Sequence, residues 1–171
     1  VEKIIFISST SVYKNTNNKV NEDHGAESEE SVLFQIENLF RKNTHFKTTI
    51  IRFSGLVGPK RHPGKFFRNG KQVQQANAPV NLIHLDDCIA IINEVIKQNS
   101  WGETFNACAD THPTKRDFYS HARKLLDLAP PEFITADKEE YKIINNMKLK
   151  QVLNYSYTHP DVMKMTFESD Q

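Results

Sequence analysis

The stretch Lys3-Ile4-Ile5-Phe6-Ile7-Ser8-Ser9-Thr10-Ser11-Val12-Tyr13 opens on a short unbroken apolar run and closes on small polar residues. That pattern predicts a parallel strand buried on both faces, its C-terminal end running into a loop. Working outward, Val32, Leu33, Ile36, Leu39 and Phe40 recur at helical spacing over residues 28–42, with Ser28 as the N-cap ahead of Glu29 and Glu30. Residues 48–53 are β-branched and apolar and predict a second strand, which Gly55, Gly58 and Pro59 stop. Two apolar runs joined by one amphipathic helix make a β-α-β unit, with the two strands adjacent and parallel.

Further along, residues 60–78 read as a mobile or ligand-contacting loop and 80–83 as a short strand. Asp86 then caps a helix carrying Ile89, Ile92, Val95 and Ile96 on one face. Trp101-Gly102 turns the chain into a strand over 103–108. Thr114 and Asp117 have capping-box spacing for a helix through residue 126, with Phe118, Ala122 and Leu125 inward. After Pro130-Pro131 the pattern predicts one short helix near 146–152 and a frayed polar tail. Strands alternating with helices define an α/β class: part of a doubly wound, Rossmann-like parallel sheet with a small C-terminal lobe.

Composition narrows the function. The 171 residues carry 22 Lys plus Arg against 21 acidic residues, a formal charge of +1, which supplies no basic field for nucleic acid. Cys88 and Cys108 lie in apolar surroundings without C-x-x-C spacing and read as reduced core thiols in a cytoplasmic protein. No apolar run approaches a membrane span, so no membrane partner is expected. The chain opens at Val1 and enters a strand at once, which reads as a start in mid-fold.

Several segments, in order, resemble the extended short-chain dehydrogenase/reductase family, which includes nucleotide-sugar epimerases and dehydratases. Residues 7–13, I-S-S-T-S-V-Y, are similar to the family's strand end S-S-x-x-V-Y, followed by an acidic turn like Asn21-Glu22-Asp23. Residues 50–59, I-I-R-F-S-G-L-V-G-P, are similar to the segment that passes beside the nicotinamide. V-N-L-I-H-L-D-D at 80–87, G-E-T-F-N-A at 102–107 and N-N-M-K-L-K-Q-V-L at 145–153 resemble later family segments. The resemblance implies a catalytic role for Ser9, as the donor to the substrate oxygen where hydride leaves or arrives. It implies NAD or NADP contacts from Phe53, Ser54 and Gly55, and substrate contacts from Ser9, Thr10 and Tyr13. Residues 1–107 would be the C-terminal half of the dinucleotide domain, with the 60–80 loop contributing to a substrate lobe formed by 108–171.

Two departures qualify that carry-over. The family's G-x-x-G-x-x-G turn, which sets backbone amides against a pyrophosphate, has no counterpart here, so tight NAD(P) binding by this chain is not expected. The family's Tyr and Lys, four residues apart, are also missing: one register puts Phe34 and Asn38 there, the other Glu29 and Leu33. A phenyl ring has no proton to titrate and asparagine no charge, so the usual relay fails. The readings that remain are an NAD(P)-dependent epimerase, dehydratase or reductase acting on a nucleotide-sugar or polyol, with a homodimer left open, and a non-catalytic binding module of the same fold.

Other polar clusters carry their own expectations. Lys60, Arg61, His62, Lys65, Arg68 and Lys71 concentrate positive charge, and Arg61 and Lys65 are candidates to clamp a diphosphate. Arg52, between Ile51 and Phe53 in a strand, calls for a structural ion pair. His84, Asp86 and Asp87 invite a metal, but Asp86 as a cap and His84 turned into the packed layer argue for none.

Overall fold

The computed structural model describes residues 1–23, 25–68 and 70–167. The opening apolar run forms β1 (Lys3–Ser9), followed by a 3-10 turn at Thr10–Val12 and a short β2 (Lys19–Val20). Helix α1 (Val32–Lys42) leads to β3 (Lys47–Phe53), whose residues 48–53 are all buried. β4 (Gly55–Val57), a 3-10 turn at Pro63–Lys65, β5 (Val73–Gln74) and β6 (Leu82–His84) precede α2 (Leu85–Lys97) and β7 (Thr104–Ala107). Then come α3 (Lys115–Lys124), β8 (Phe133–Ile134), β9 (Ile143–Ile144), α4 (Met147–Val152) and a 3-10 turn at Val162–Lys164.

The main sheet has the order β1-β3-β7, parallel throughout, with Ser9 opposite Phe53 and Phe53 opposite Ala107. This aligns the C-terminal ends of all three strands, where open α/β sheets hold their ligands. The expected β-α-β unit is therefore present. Three smaller parallel ladders, β4 with β6, β2 with β9 and β5 with β8, tie later segments to earlier ones.

Several local expectations need correcting. β1 is not buried on both faces: Ile7 is 48% exposed, and β3, flanked by strands on both sides, is the enclosed strand instead. Helix α1 starts later than expected. Ser31 Oγ accepts from Phe34 N–H, while Ser31 N–H donates to Ser28 O at 3.0 Å, so 28–31 is a turn and Glu29 and Glu30 precede the helix. On α2 the cap is His84, whose Nδ1 accepts from Asp86 N–H at 3.3 Å, rather than Asp86. Thr114 does cap α3, but Leu125 lies just past that helix and is half exposed.

Three apolar clusters hold the chain together. Ile51, Phe53 and Phe105 of the sheet pack with Ile91 and Val95 of α2 and with Leu149, Leu153 and Tyr157. Phe118 of α3 anchors a second cluster with Val57, Leu82, Val162 and Met165. A third joins Val12, Tyr13 and Val20 to Cys108 and Ile144. Residues on both sides of 107 thus share each core. The tail expected to fray is fixed as far as residue 167, because Asp87, fully buried, accepts hydrogen bonds from Tyr155 Oη and from the N–H groups of Thr158 and His159. The 60–78 stretch is also more ordered than expected. β5 pairs with β8, and Gly64 sits so close to α3 that a Cβ there would lie 2.4 Å from Ala122 O. No helix among the described residues is long and apolar enough to cross a membrane. Cys88 and Cys108 are free and buried, and burial pushes both thiols up to about 12.

Candidate active site

Ser9 ends β1 with its side chain partly exposed. Its Oγ accepts the N–H of Ser11 at 3.1 Å, which leaves the hydroxyl hydrogen available as a donor. Next to it Thr10 is buried and donates to Ser54 Oγ at 3.4 Å. Ser9, Thr10 and Ser11 form one wall of a cleft of about 480 Å³, closed by Gly55, residues 78–82, Lys115 and Tyr119 of α3, and residues 140–142.

Two cations face this cleft. Lys115 Nζ donates to Gln74 O at 3.0 Å and Lys142 Nζ to Tyr13 O at 2.6 Å. Neither is in an ion pair with a carboxylate among the described residues. Burial lowers the pKa of both, offset for Lys115 by the charge of Glu139. An ammonium has three donors, so each lysine keeps donors beyond its carbonyl partner. A partly desolvated cation is stabilised by an incoming anion, and two of them beside serine and threonine hydroxyls suit a phosphate or carboxylate joined to a polyol, with Glu139 near Lys115 and Glu140 at the cleft as the negative charges already present. Asn81 fixes Lys142 in place: its Nδ2 donates to Lys142 O and its Oδ1 accepts from Ile144 N–H, both at 2.9 Å.

Beneath the strand ends lies a closed polar network. Arg52, 1% exposed, holds Glu37 of α1 through Nε at 3.0 Å and Nη2 at 2.6 Å, and Glu27 through Nη1 at 2.6 Å. Burial would lower the guanidinium's pKa, but the bonds to Glu37 outweigh it and the value is raised. Ser8 Oγ adds a 2.6 Å bond to Glu37. Tyr13 Oη accepts from Arg52 Nη1 and donates to Asn106 at 3.0 Å, and burial pushes its pKa up to about 12. The expected ion pair at Arg52 is therefore present.

Of the residues expected to bind ligand, Ser9, Thr10 and Gly55 line the cleft, and the others are placed elsewhere. Tyr13 is committed to the Arg52 network and is 2% exposed, so it is not at the cleft mouth. Phe53 is a core residue. The amides of Ser54 and Gly55 donate to Ala107 O and Asn81 O, both at 3.0 Å, and so are not free to receive a pyrophosphate. Arg61 donates to Leu56 O and stacks on Phe66, and neither it nor Lys65 reaches the cleft. From the same basic run, Arg68 and Lys71 line a separate groove of about 520 Å³ with Arg123. In the acidic turn, Glu22 is tied down by the N–H of Asn106 at 2.6 Å.

No family model matches the chain. Protein YeeZ of Escherichia coli (strain K12) is 36% identical over 172 residues, covering 98% of this chain and 62% of that protein. The chain therefore spans about three-fifths of its curated relative. Among solved structures, a conserved protein of unknown function from Silicibacter pomeroyi superposes with a TM-score of 0.81 at 20% identity, over 94% of this chain and 63% of its own. A protein from Methylobacillus flagellatus assigned as an NAD-dependent epimerase/dehydratase gives 0.75 at 25% identity, over 94% and 60%. UDP-glucuronic acid 4-epimerase from Bacillus cereus, in complex with NAD, gives 0.75 at 20%, over 95% and 58%. The chain has part of the extended short-chain dehydrogenase/reductase fold.

At the positions where this family places its Tyr and Lys, the fold holds neither. Phe34 packs on the third core cluster with its ring 5.9 Å from the Arg52 guanidinium, and Asn38 accepts from Arg41 at 2.6 Å. In the other register Glu29 is exposed ahead of α1, and Leu33 packs on the same cluster as Phe34. The sequence reading missed Lys115, Tyr119 and Lys142. Each sits in an unremarkable polar context: the β2–β9 ladder brings Lys142 to the cleft, and the Pro79–Thr114 bridge with the Lys115 N–H bond to Ala78 O at 2.9 Å brings the start of α3 there.

Proposed function

We propose that the cleft holds a nucleotide-sugar, or a related anionic polyol, against Ser9 in an NAD(P)-dependent epimerase, dehydratase or reductase. The observation that carries this reading is the pairing of the Ser9 hydroxyl with two partly buried lysines, neither of them in an ion pair with a carboxylate, in one cleft at the strand ends. Lys115 and Lys142 bind the anionic group, and Ser9 donates to the oxygen on which charge develops. The nicotinamide supplies hydride acceptance and donation when bound. The amides of Ser54 and Gly55 are engaged within the fold and do not contribute a pyrophosphate cradle. Support for the cofactor comes from the NAD complex of the Bacillus cereus epimerase.

A non-catalytic binding module is the second reading, favoured by Phe34 and Asn38 where the family has its proton relay. Turnover of nucleotide-sugars by a protein that carries this chain together with a dinucleotide-binding half, and by its Ser9→Ala variant, separates the two. One donor to a developing oxyanion is worth about 1.4 to 4 kcal/mol, so turnover falls roughly ten- to a thousandfold while cofactor affinity stays the same. An unchanged rate in Ser9→Ala rejects the assignment of Ser9.

A further inference from the structure

The start of α2 gathers three groups that the cleft does not use. His84 is buried as the last residue of β6, and Asp86 Oδ2 lies 3.2 Å from its Nδ1 and 3.0 Å from Nε2 of His159, which arrives from 73 residues further along. The two imidazole rings lie 3.9 Å apart, and the three donor atoms fall within 4.8 Å of one another. Ligand bonds of about 2.0–2.1 Å around a tetrahedral ion put neighbouring donors about 3.3 Å apart, close to the two separations seen here.

The imidazole of His84 is buried with Nε2 lacking a hydrogen-bond partner among the described residues and with Nδ1 facing both the N–H and the carboxylate of Asp86. With its proton on Nε2, that nitrogen is a buried donor without a hydrogen-bond partner, and the Nδ1 lone pair faces a carboxylate oxygen. With the proton on Nδ1, the ring donates to Asp86 Oδ2 but meets the Asp86 N–H, which points at the same nitrogen. A positive ion between Nδ1, Oδ2 and His159 Nε2 takes the Nδ1 lone pair in place of its 3.3 Å contact with the Asp86 N–H and turns the facing lone pairs into ligands. Asp87 preorganises the third ligand, because its carboxylate holds the N–H groups of Thr158 and His159 at 2.7 and 3.0 Å.

We propose that His84, Asp86 and His159 bind one divalent transition-metal ion of the zinc class, which fastens the C-terminal segment to α2. Two imidazoles with one carboxylate suit zinc and its neighbours better than magnesium or calcium, which prefer all-oxygen sites. The Asp86 side chain is 56% exposed, so a coordination position remains open to water. The sequence predicts no metal because Asp86 reads as a helix cap and His84 as turned into the packed layer, and His159, 73 residues further along, is not marked by any ligand spacing.

The test is calorimetric titration of the metal-stripped protein with Zn²⁺, repeated on His159→Ala and Asp86→Asn. The expected result is one saturable equivalent of micromolar or tighter affinity, weakened roughly tenfold or more in each variant, and no uptake of Mg²⁺. Visible d–d absorption of bound Co²⁺ in the unmodified protein checks the site without any variant. Absence of saturable Zn²⁺ uptake, or Zn²⁺ binding undiminished in both variants, overturns the proposal.

Discussion

Arg52 shows how one side chain can be fixed by charge inside a strand. Its guanidinium is 1% exposed and its two carboxylate partners come from α1 and from the loop before it. Removing the cation leaves Glu37, fully buried, with only the longer 3.5 Å contact to the partly exposed Arg41 as counter-charge among the described residues, which is more costly than losing a surface pair. Arg52→Ala is expected to lower unfolding stability by about 3–5 kcal/mol in urea titrations, and the loss should shrink when Glu37→Gln is added. A loss below about 1 kcal/mol would mean that the network is not held by charge. The need for an ion pair was legible from an arginine placed between Ile51 and Phe53. The partners were not, because Glu37, the one buried residue of α1, shares the helix's inner face with the partly buried apolar residues Leu33 and Phe34.

Among the elements, those with long patterns were readable and those defined by partners were not. β1, β3, α1 and α2 announce themselves through apolar runs and helical spacing. The two-residue strands β2, β5, β8 and β9 exist only because a distant segment pairs with them; the β2–β9 ladder carries Lys142 to the cleft, and the isolated Pro79–Thr114 bridge carries Lys115. Caps were misplaced by a few residues where two polar side chains competed, as at Ser28 against Ser31 and His84 against Asp86. Gly64 is a contact that no periodicity reveals: the 3-10 turn at Pro63–Lys65 approaches the α3 backbone more closely than any Cβ allows. Gly64→Ala must push the turn from α3 and is expected to cost about 1–3 kcal/mol in thermal or denaturant unfolding. Stability equal to that of the unsubstituted protein would show that the turn moves freely.

For the whole molecule, the fold class and the place of Ser9 at the strand ends were legible in the sequence, and the composition of the cleft was not. The missing Gly-rich turn was legible as well, and the structure adds that the amides of Ser54 and Gly55 cannot substitute for it. The 171-residue chain is therefore expected to show negligible heat of binding with NAD(H) or NADP(H), and micromolar affinity for either would contradict that reading. The central claim is that Lys115 and Lys142 receive the anionic part of a substrate beside Ser9. Titration of the protein with UDP-glucose and UDP-glucuronic acid, repeated on Lys115→Met and Lys142→Met, tests it most directly. The prediction is saturable binding of at least one nucleotide-sugar, weakened roughly tenfold by each substitution, or about 1.4 kcal/mol. Affinity unchanged in both variants, or no binding of either compound by the unsubstituted protein, would contradict it.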